Sequence, residues 1–223
     1  MGKRLKGVRV AVLAVDGVEQ VEATLPMRAL RKAGADVRLI SLRPGNIRSV
    51  NFIWRGKKLA VDDTVFQSDP EEYAALLLPG GFVNPDLLRQ SERVLDFVSE
   101  FDRAKKPIAT LCHGPAVLIS ANLIDGRRLA SWPGIADDVR NAGGQWEDSE
   151  VVRDDNWVSS RSPLDLRAFT AAMIELFAER APRGLPVPPR RVRWVATVTR
   201  LAKLAAIGGA IYGARRALIA ARA

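Results

Sequence analysis

The sequence predicts an α/β fold: a mostly parallel sheet, helices on both faces, and a reactive turn at the sheet's carboxyl edge. Three observations lead there. Short apolar runs alternate with stretches of helical spacing from Val8 to Arg180, the pattern of strands covered by helices. Asp16-Gly17, Gly80-Gly81 and Cys112 each follow one of those runs, and sheets of this kind bind ligands at the carboxyl ends of their strands. Finally, Pro107–Leu111 reads as a buried strand, Gly114-Pro115 breaks it, and Ala116–Ile119 resumes with helical character. Strand, sharp turn and helix with Cys112 at the turn is the layout of a nucleophile elbow.

The elements follow in order. Val8–Val15 is a first core strand. The basic segment before it precedes only one strand's worth of apolar residues, so it is not read as a signal peptide. Gln20–Ala33 has helical spacing through Val21, Leu25, Ala29 and Leu30 and stops at Gly34. Asp36–Leu42 is the second strand. Asn46–Val61 is polar and aromatic, and is read as a hairpin turning at Gly56-Lys57. Tyr73–Leu78 is an apolar strand ending in Pro79-Gly80-Gly81. Glu92–Ala104 is an amphipathic helix through Val94, Leu95, Val98 and Phe101. After the elbow, Val139–Trp157 holds short strands with turns at Gly143-Gly144 and Asp155-Asn156. Leu164–Arg180 is a final amphipathic helix.

Of the 223 residues, 48% are hydrophobic and 26% charged, enough for one domain with a proper core and an appendage. The net charge of +9 is not spread over that domain. Nine basic residues follow Pro182, and no acid follows Glu179. Removing those nine from 34 leaves 25 basic against 25 acidic residues, so residues 1–181 are neutral. The basic character belongs to the tail.

Cys112 is the only cysteine and His113 the only histidine. An intramolecular disulfide is excluded, as is a structural zinc site built from these residue types, and the cysteine usage fits a reducing compartment. Thiol chemistry, if present, must occur at this pair. A helix N-terminus and a nearby cation would lower the thiol pKa. The alternatives are a buried inert cysteine and a histidine satisfied by a turn carbonyl. The backbone N–H groups of Gly81 and His113 are candidates for an oxyanion hole, against a plain strand-ending turn. Glu19 and Glu22 flank the first strand–helix junction. Either they serve the helix dipole, or one points at the sulfur and is held protonated there.

Taken together, Asp16-Gly17-Val18-Glu19-Gln20-Val21-Glu22, Leu78-Pro79-Gly80-Gly81 and Ala109-Thr110-Leu111-Cys112-His113-Gly114-Pro115 resemble the PfpI family of the ThiJ/PfpI superfamily. The downstream stretches Ser131–Val139 and Trp157–Leu166 resemble it too, and the likeness covers roughly residues 8 to 180. The resemblance implies a flavodoxin-like three-layer sandwich, related to class I glutamine amidotransferases. It implies Cys112 as nucleophile, His113 as its partner, and Glu22 as the carboxyl against the sulfur. It also implies an acid after the Gly-Gly turn that reaches the histidine from a neighbouring subunit, and Asp86 of Pro85-Asp86 fits that place. A homodimer or higher homo-oligomer with the site at the interface follows. Trp132 stands where the ThiJ-like branch has a histidine, which places the chain nearer the protease-like and stress-protein branch. The implied activity is that of a cytoplasmic cysteine hydrolase acting on carbonyl adducts or peptides in stress protection, deglycase- or glyoxalase-like or an intracellular peptidase, with no cofactor and no metal. The alternative is a non-catalytic redox sensor in which Cys112 is oxidised.

Residues 182–190 form a proline-rich linker, and residues 191–223 a basic, Ala- and Leu-rich helical tail. The apolar stretch Leu204–Ala214 is too short to span a bilayer. Binding to an anionic membrane surface, packing on a partner and contact with nucleic acid are three open readings of the tail.

Overall fold

A computed structural model of the chain describes residues 4–185. The predicted tail and most of the linker lie outside the described residues. The elements are β1 (Arg9–Leu13), α1 (Gln20–Lys32), β2 (Asp36–Ser41), β3 (Asn46–Asn51), β4 (Trp54–Ala60), β5 (Asp63–Thr64), β6 (Ala75–Leu78), α2 (Val83–Leu88) and α3 (Glu92–Arg103). They continue with β7 (Ile108–Leu111), α4 (Pro115–Ser120), β8 (Arg128–Leu129), α5 (Ala136–Asn141), β9 (Gln145–Trp146), β10 (Val152–Asp154), β11 (Trp157–Ser160) and α6 (Leu166–Arg180).

Seven strands make the central sheet in the order β10-β11-β7-β6-β1-β2-β5, parallel throughout except for the antiparallel edge pair β10–β11. The alternating side-chain directions of a strand divide the core in two. On one side Val10, Val12, Leu77, Ala109 and Val158 pack with Met27 and Leu30 of α1 and with Phe169, Met173 and Phe177 of α6. On the other, Ala11, Leu13, Leu76, Leu78 and Trp157 pack with α3, α4 and Val139 of α5. The buried residues of α3, Val94, Phe97, Val98 and Phe101, are spaced along one helical face. Each contributes about 2 kcal/mol by burial. The predicted three-layer, flavodoxin-like architecture is therefore the observed one.

Chain order reverses between β1 and β6, with β2 on the far side of β1 and β7 on the far side of β6. That places a crevice at their carboxyl ends, where the turns after β1, β6 and β7 meet.

The structure corrects the sequence reading in three places. The β3–β4 hairpin turns at Phe52-Ile53, and Gly56-Lys57 lies inside β4. Gly56 faces the hairpin partner so closely that a Cβ would stand 2.5 Å from Ser49 Oγ, so the glycine serves strand packing. The stretch around Val139 is the helix α5, too short at six residues for its periodicity to show. The six-residue helix α2 follows the Gly80-Gly81 turn, carrying Pro85 in its first turn.

Candidate active site

The elbow is built by backbone strain that two backbone hydrogen bonds hold in place. Cys112 has φ +57°, in the left-handed region that a side chain rarely adopts. Its N–H donates to Ser160 O at 3.1 Å, and its carbonyl accepts from Trp132 N–H at 2.9 Å. Gly114 then passes under β6 with no room for a side chain: a Cβ would lie 2.5 Å from Leu78 O and from Thr110 Oγ1. Pro115 opens α4, where a missing N–H costs nothing.

The Gly80-Gly81 turn approaches from β6. A Cβ on Gly80 would stand 2.7 Å from Cys112 Cβ, 2.7 Å from Glu22 Oε2 and 2.8 Å from His113 N, so the turn touches all three groups. Gly81 has φ +94° and abuts the turn after β1. Buried Asn84 fastens the arrangement: its Oδ1 accepts from Val15 N–H at 2.8 Å, and its Nδ2 donates to Pro79 O at 2.9 Å and to Gly80 O at 3.2 Å. Asn84 was not singled out from the sequence, where nothing distinguishes it from a surface asparagine after a turn.

The N–H groups of Gly81 and His113 face the Cys112 sulfur, and Glu22 lies against it. Glu22 reaches from the first turn of α1 and is fully buried; its Oε2 accepts from Gly80 N–H at 2.8 Å, while Oε1 has no formed hydrogen bond. Burial dominates and raises its pKa from 4.5 to about 8. A buried carboxylate with one oxygen unsatisfied is disfavoured, so the group keeps its proton at neutral pH. The thiol is also pushed up, first by burial and then by Glu22. The two titrate as a pair, and the second charge is strongly opposed. Of the two junction carboxylates, Glu22 is thus the one that faces the sulfur. Glu19 does not; its Oε2 accepts from Phe52 N–H at 2.7 Å and ties down the tip of the hairpin.

His113 Nδ1 stands 3.2 Å from Cys112 Sγ. The imidazole has two aromatic neighbours, Phe82 at 4.7 Å between centroids and Trp132 stacked at 5.9 Å. Burial lowers its pKa below 6.5, so it is neutral above that pH. The expected cation beside the thiol is therefore absent at neutral pH, and the expected lowering of the thiol pKa is overturned by burial. What stands beside the sulfur is a neutral base.

Asp86 lies on α2, exposed, with Gln90 Nε2 donating to its backbone carbonyl at 2.9 Å; within this chain it makes no ion pair or hydrogen bond with His113. A separate cavity of about 320 Å³ opens at the carboxyl ends of β1 and β2, between Ser41, Arg43 and Leu87, away from Cys112. Among the described residues no cluster of three or more His, Cys, Asp or Glu side chains could hold a metal ion, and no helix is long and apolar enough to cross a membrane.

Comparison with known proteins gives this geometry its context. The model of the DJ-1/PfpI family matches residues 8–176. A deglycase of Thermococcus kodakarensis is 38% identical over 169 residues, covering 76% of this chain and 99% of that protein. Protein/nucleic acid deglycase 2 of Escherichia coli is 41% identical over 173 residues, covering 75% of this chain and 96% of that protein. Among solved structures, a two-domain protein of Anabaena variabilis containing DJ-1/ThiJ/PfpI-like and ferritin-like domains superposes with a TM-score of 0.72 at 31% identity, over 84% of this chain. The match spans about half (52%) of that longer protein.

Proposed function

The chain belongs to the DJ-1/PfpI family, and from that premise we propose that it is a cysteine-dependent hydrolase of carbonyl adducts, a deglycase acting on the products of α-oxoaldehydes with amines and thiols. The observation that carries this reading is the 3.2 Å approach of a neutral imidazole to a sulfur flanked by two backbone N–H groups. The names of the relatives support the substrate class.

In the proposed first step Cys112 Sγ bonds to the carbonyl carbon. The thiol proton passes to His113 Nδ1, so no free thiolate need accumulate in a site that disfavours it. The electron pair of the C=O bond moves to its oxygen, beside the N–H groups of Gly81 and His113. Glu22, protonated, keeps a second negative charge away from the sulfur. His113 then returns the proton to the amine or thiol, which leaves as the carbinol carbon that held it becomes a carbonyl; the C–S bond then breaks, the proton returns to Cys112, and water adds to the released α-oxoaldehyde. Asp86, exposed on α2, would orient His113 of a second copy, making the working form a homo-oligomer. Peptides present a carbonyl of lower reactivity to the same attack.

The test is turnover of methylglyoxal adducts of N-acetylated lysine and cysteine by the full chain and by Cys112→Ser. The expected result is release of the free amino acid derivative, lost by about 10³-fold or more in the variant. Equal activity in both would refute the reading.

A further inference from the structure

We infer that Phe82, braced by the hairpin residue Phe52, is a positioning residue that holds the His113 imidazole with Nδ1 toward the sulfur. The inference rests on the reading that His113 serves Cys112, but not on the identity of the substrate. An imidazole that acts as a base is ordinarily oriented by a third group bonded to its other nitrogen. Within one copy no carboxylate of the described residues pairs with His113, and its one side-chain hydrogen-bond contact is the sulfur. Within one copy, before a second copy brings Asp86, the ring is positioned by its aromatic neighbours. Phe82 stands against the imidazole at 4.7 Å between centroids, tilted by 54°, and Trp132 stacks with it at 5.9 Å.

Phe82 is half exposed, so burial alone does not fix its ring. It is placed from both ends. Gly81 before it has φ +94°, and Val83 after it lies so close to Gly17 that a Cβ there would stand 2.5 Å from Val83 Cβ. Behind the ring, Phe52 meets it edge-on at 6.0 Å, a favourable arrangement for an aromatic pair. Phe52 is 65% exposed and has φ +59°, a strained conformation for a side chain that is not buried. The strain is held by Glu19, whose Oε2 accepts from Phe52 N–H at 2.7 Å. The hairpin is also pinned to α1 by Gln20 Oε1, which accepts from Lys57 N–H at 2.7 Å. A line of contacts thus runs from Glu19 through Phe52 and Phe82 to the imidazole. The titratable groups around His113 are Cys112, Glu22 beyond the sulfur, Glu19 behind Phe52, and Asp86 farther along α2.

Because His113 is the only histidine, its ring can be titrated by NMR without assignment. The experiment follows the imidazole titration and the pH profile of Cys112 alkylation by iodoacetamide in the full chain and in Phe82→Ala, Phe52→Ala and Phe82→Tyr. Phe82→Ala should raise the His113 midpoint toward 6.5 and slow alkylation near neutral pH by about 3- to 10-fold. Phe52→Ala should move both in the same direction by less, and Phe82→Tyr should restore both. If the two alanine variants leave titration and alkylation unchanged, the inference is wrong, whatever their melting temperatures. It is equally wrong if Phe82→Tyr behaves like Phe82→Ala. Fast alkylation without turnover of any adduct would instead count against the deglycase reading alone.

Discussion

Replacing Glu22 by glutamine should remove a large pH dependence from the stability of this protein. In the unfolded chain the carboxyl ionises near 4.5, while in the folded chain burial holds its pKa at about 8. Between those values the unfolded state has lost a proton that the folded state keeps. Fewer protons on the unfolded state means that stability falls as pH rises. Each pH unit is worth about 1.4 kcal/mol, so the window from 4.5 to about 8 costs roughly 5 kcal/mol. Glutamine stays neutral throughout, and its amide oxygen can still accept from Gly80 N–H, the bond that Glu22 Oε2 makes at 2.8 Å. In a chain of this size 1 kcal/mol moves the melting temperature by about 2–4 °C. The Glu22→Gln protein should therefore gain on the wild type by about 10–20 °C as the pH is raised from 4.5 to 8.5. Thermal melts by circular dichroism across that range test it. Parallel curves for the two proteins would refute the assignment of a buried, protonated carboxyl.

The catalytic rate should trace a bell against pH. It rises as His113 becomes neutral, below 6.5, and falls near 8 as Glu22 loses its proton beside the sulfur. A rate that climbs steadily past pH 9 would report simple thiol ionisation instead. Gly80→Ala should lower the melting temperature by an amount matching about 1–3 kcal/mol and slow turnover, because its Cβ would press on Cys112, Glu22 and His113 within 2.8 Å; unchanged kinetics would contradict this packing. Asp86→Asn and Cys112→Ser, each inactive alone, should recover activity when co-refolded, since a mixed oligomer would contain some complete sites. Activity that never exceeds the sum of the two parents would place Asp86 outside the site.

The parts of the fold that were legible in the sequence are those where one physical signal acts over many residues. Gln20–Lys32 and Glu92–Arg103 show their buried faces through periodicity, and the apolar runs at Ala75–Leu78 and Ile108–Leu111 have no polar residue to expose beyond Thr110. Short elements carry no such signal. Val83–Leu88 begins after a Gly-Gly turn and holds a proline, so six residues of helix look like loop. Gly56-Lys57 reads as a turn from residue type, whereas the structure puts positive φ on Phe52 and holds it there with Glu19, a contact 33 residues away in sequence.

The site divides in the same way. The Cys112-His113 pair and the Gly80-Gly81 turn were legible because local backbone demands specific residue types there. The charge states were not. A sequence places a helix and a histidine beside the thiol and suggests that both lower its pKa, but only the packed core shows that burial outweighs them and leaves the imidazole neutral. Position alone does not separate Glu22 from Glu19; the family resemblance points to Glu22, and the fold puts Glu22 at the sulfur and Glu19 at the hairpin.

The most direct test of Cys112 as nucleophile is rapid-quench mass spectrometry of the full chain mixed with a methylglyoxal adduct of N-acetyl-lysine. Within the first turnover the peptide containing Cys112 should carry an added mass derived from the α-oxoaldehyde, absent from Cys112→Ser. Turnover at full rate with the Cys112 peptide unmodified at every time point would contradict covalent attack by this residue.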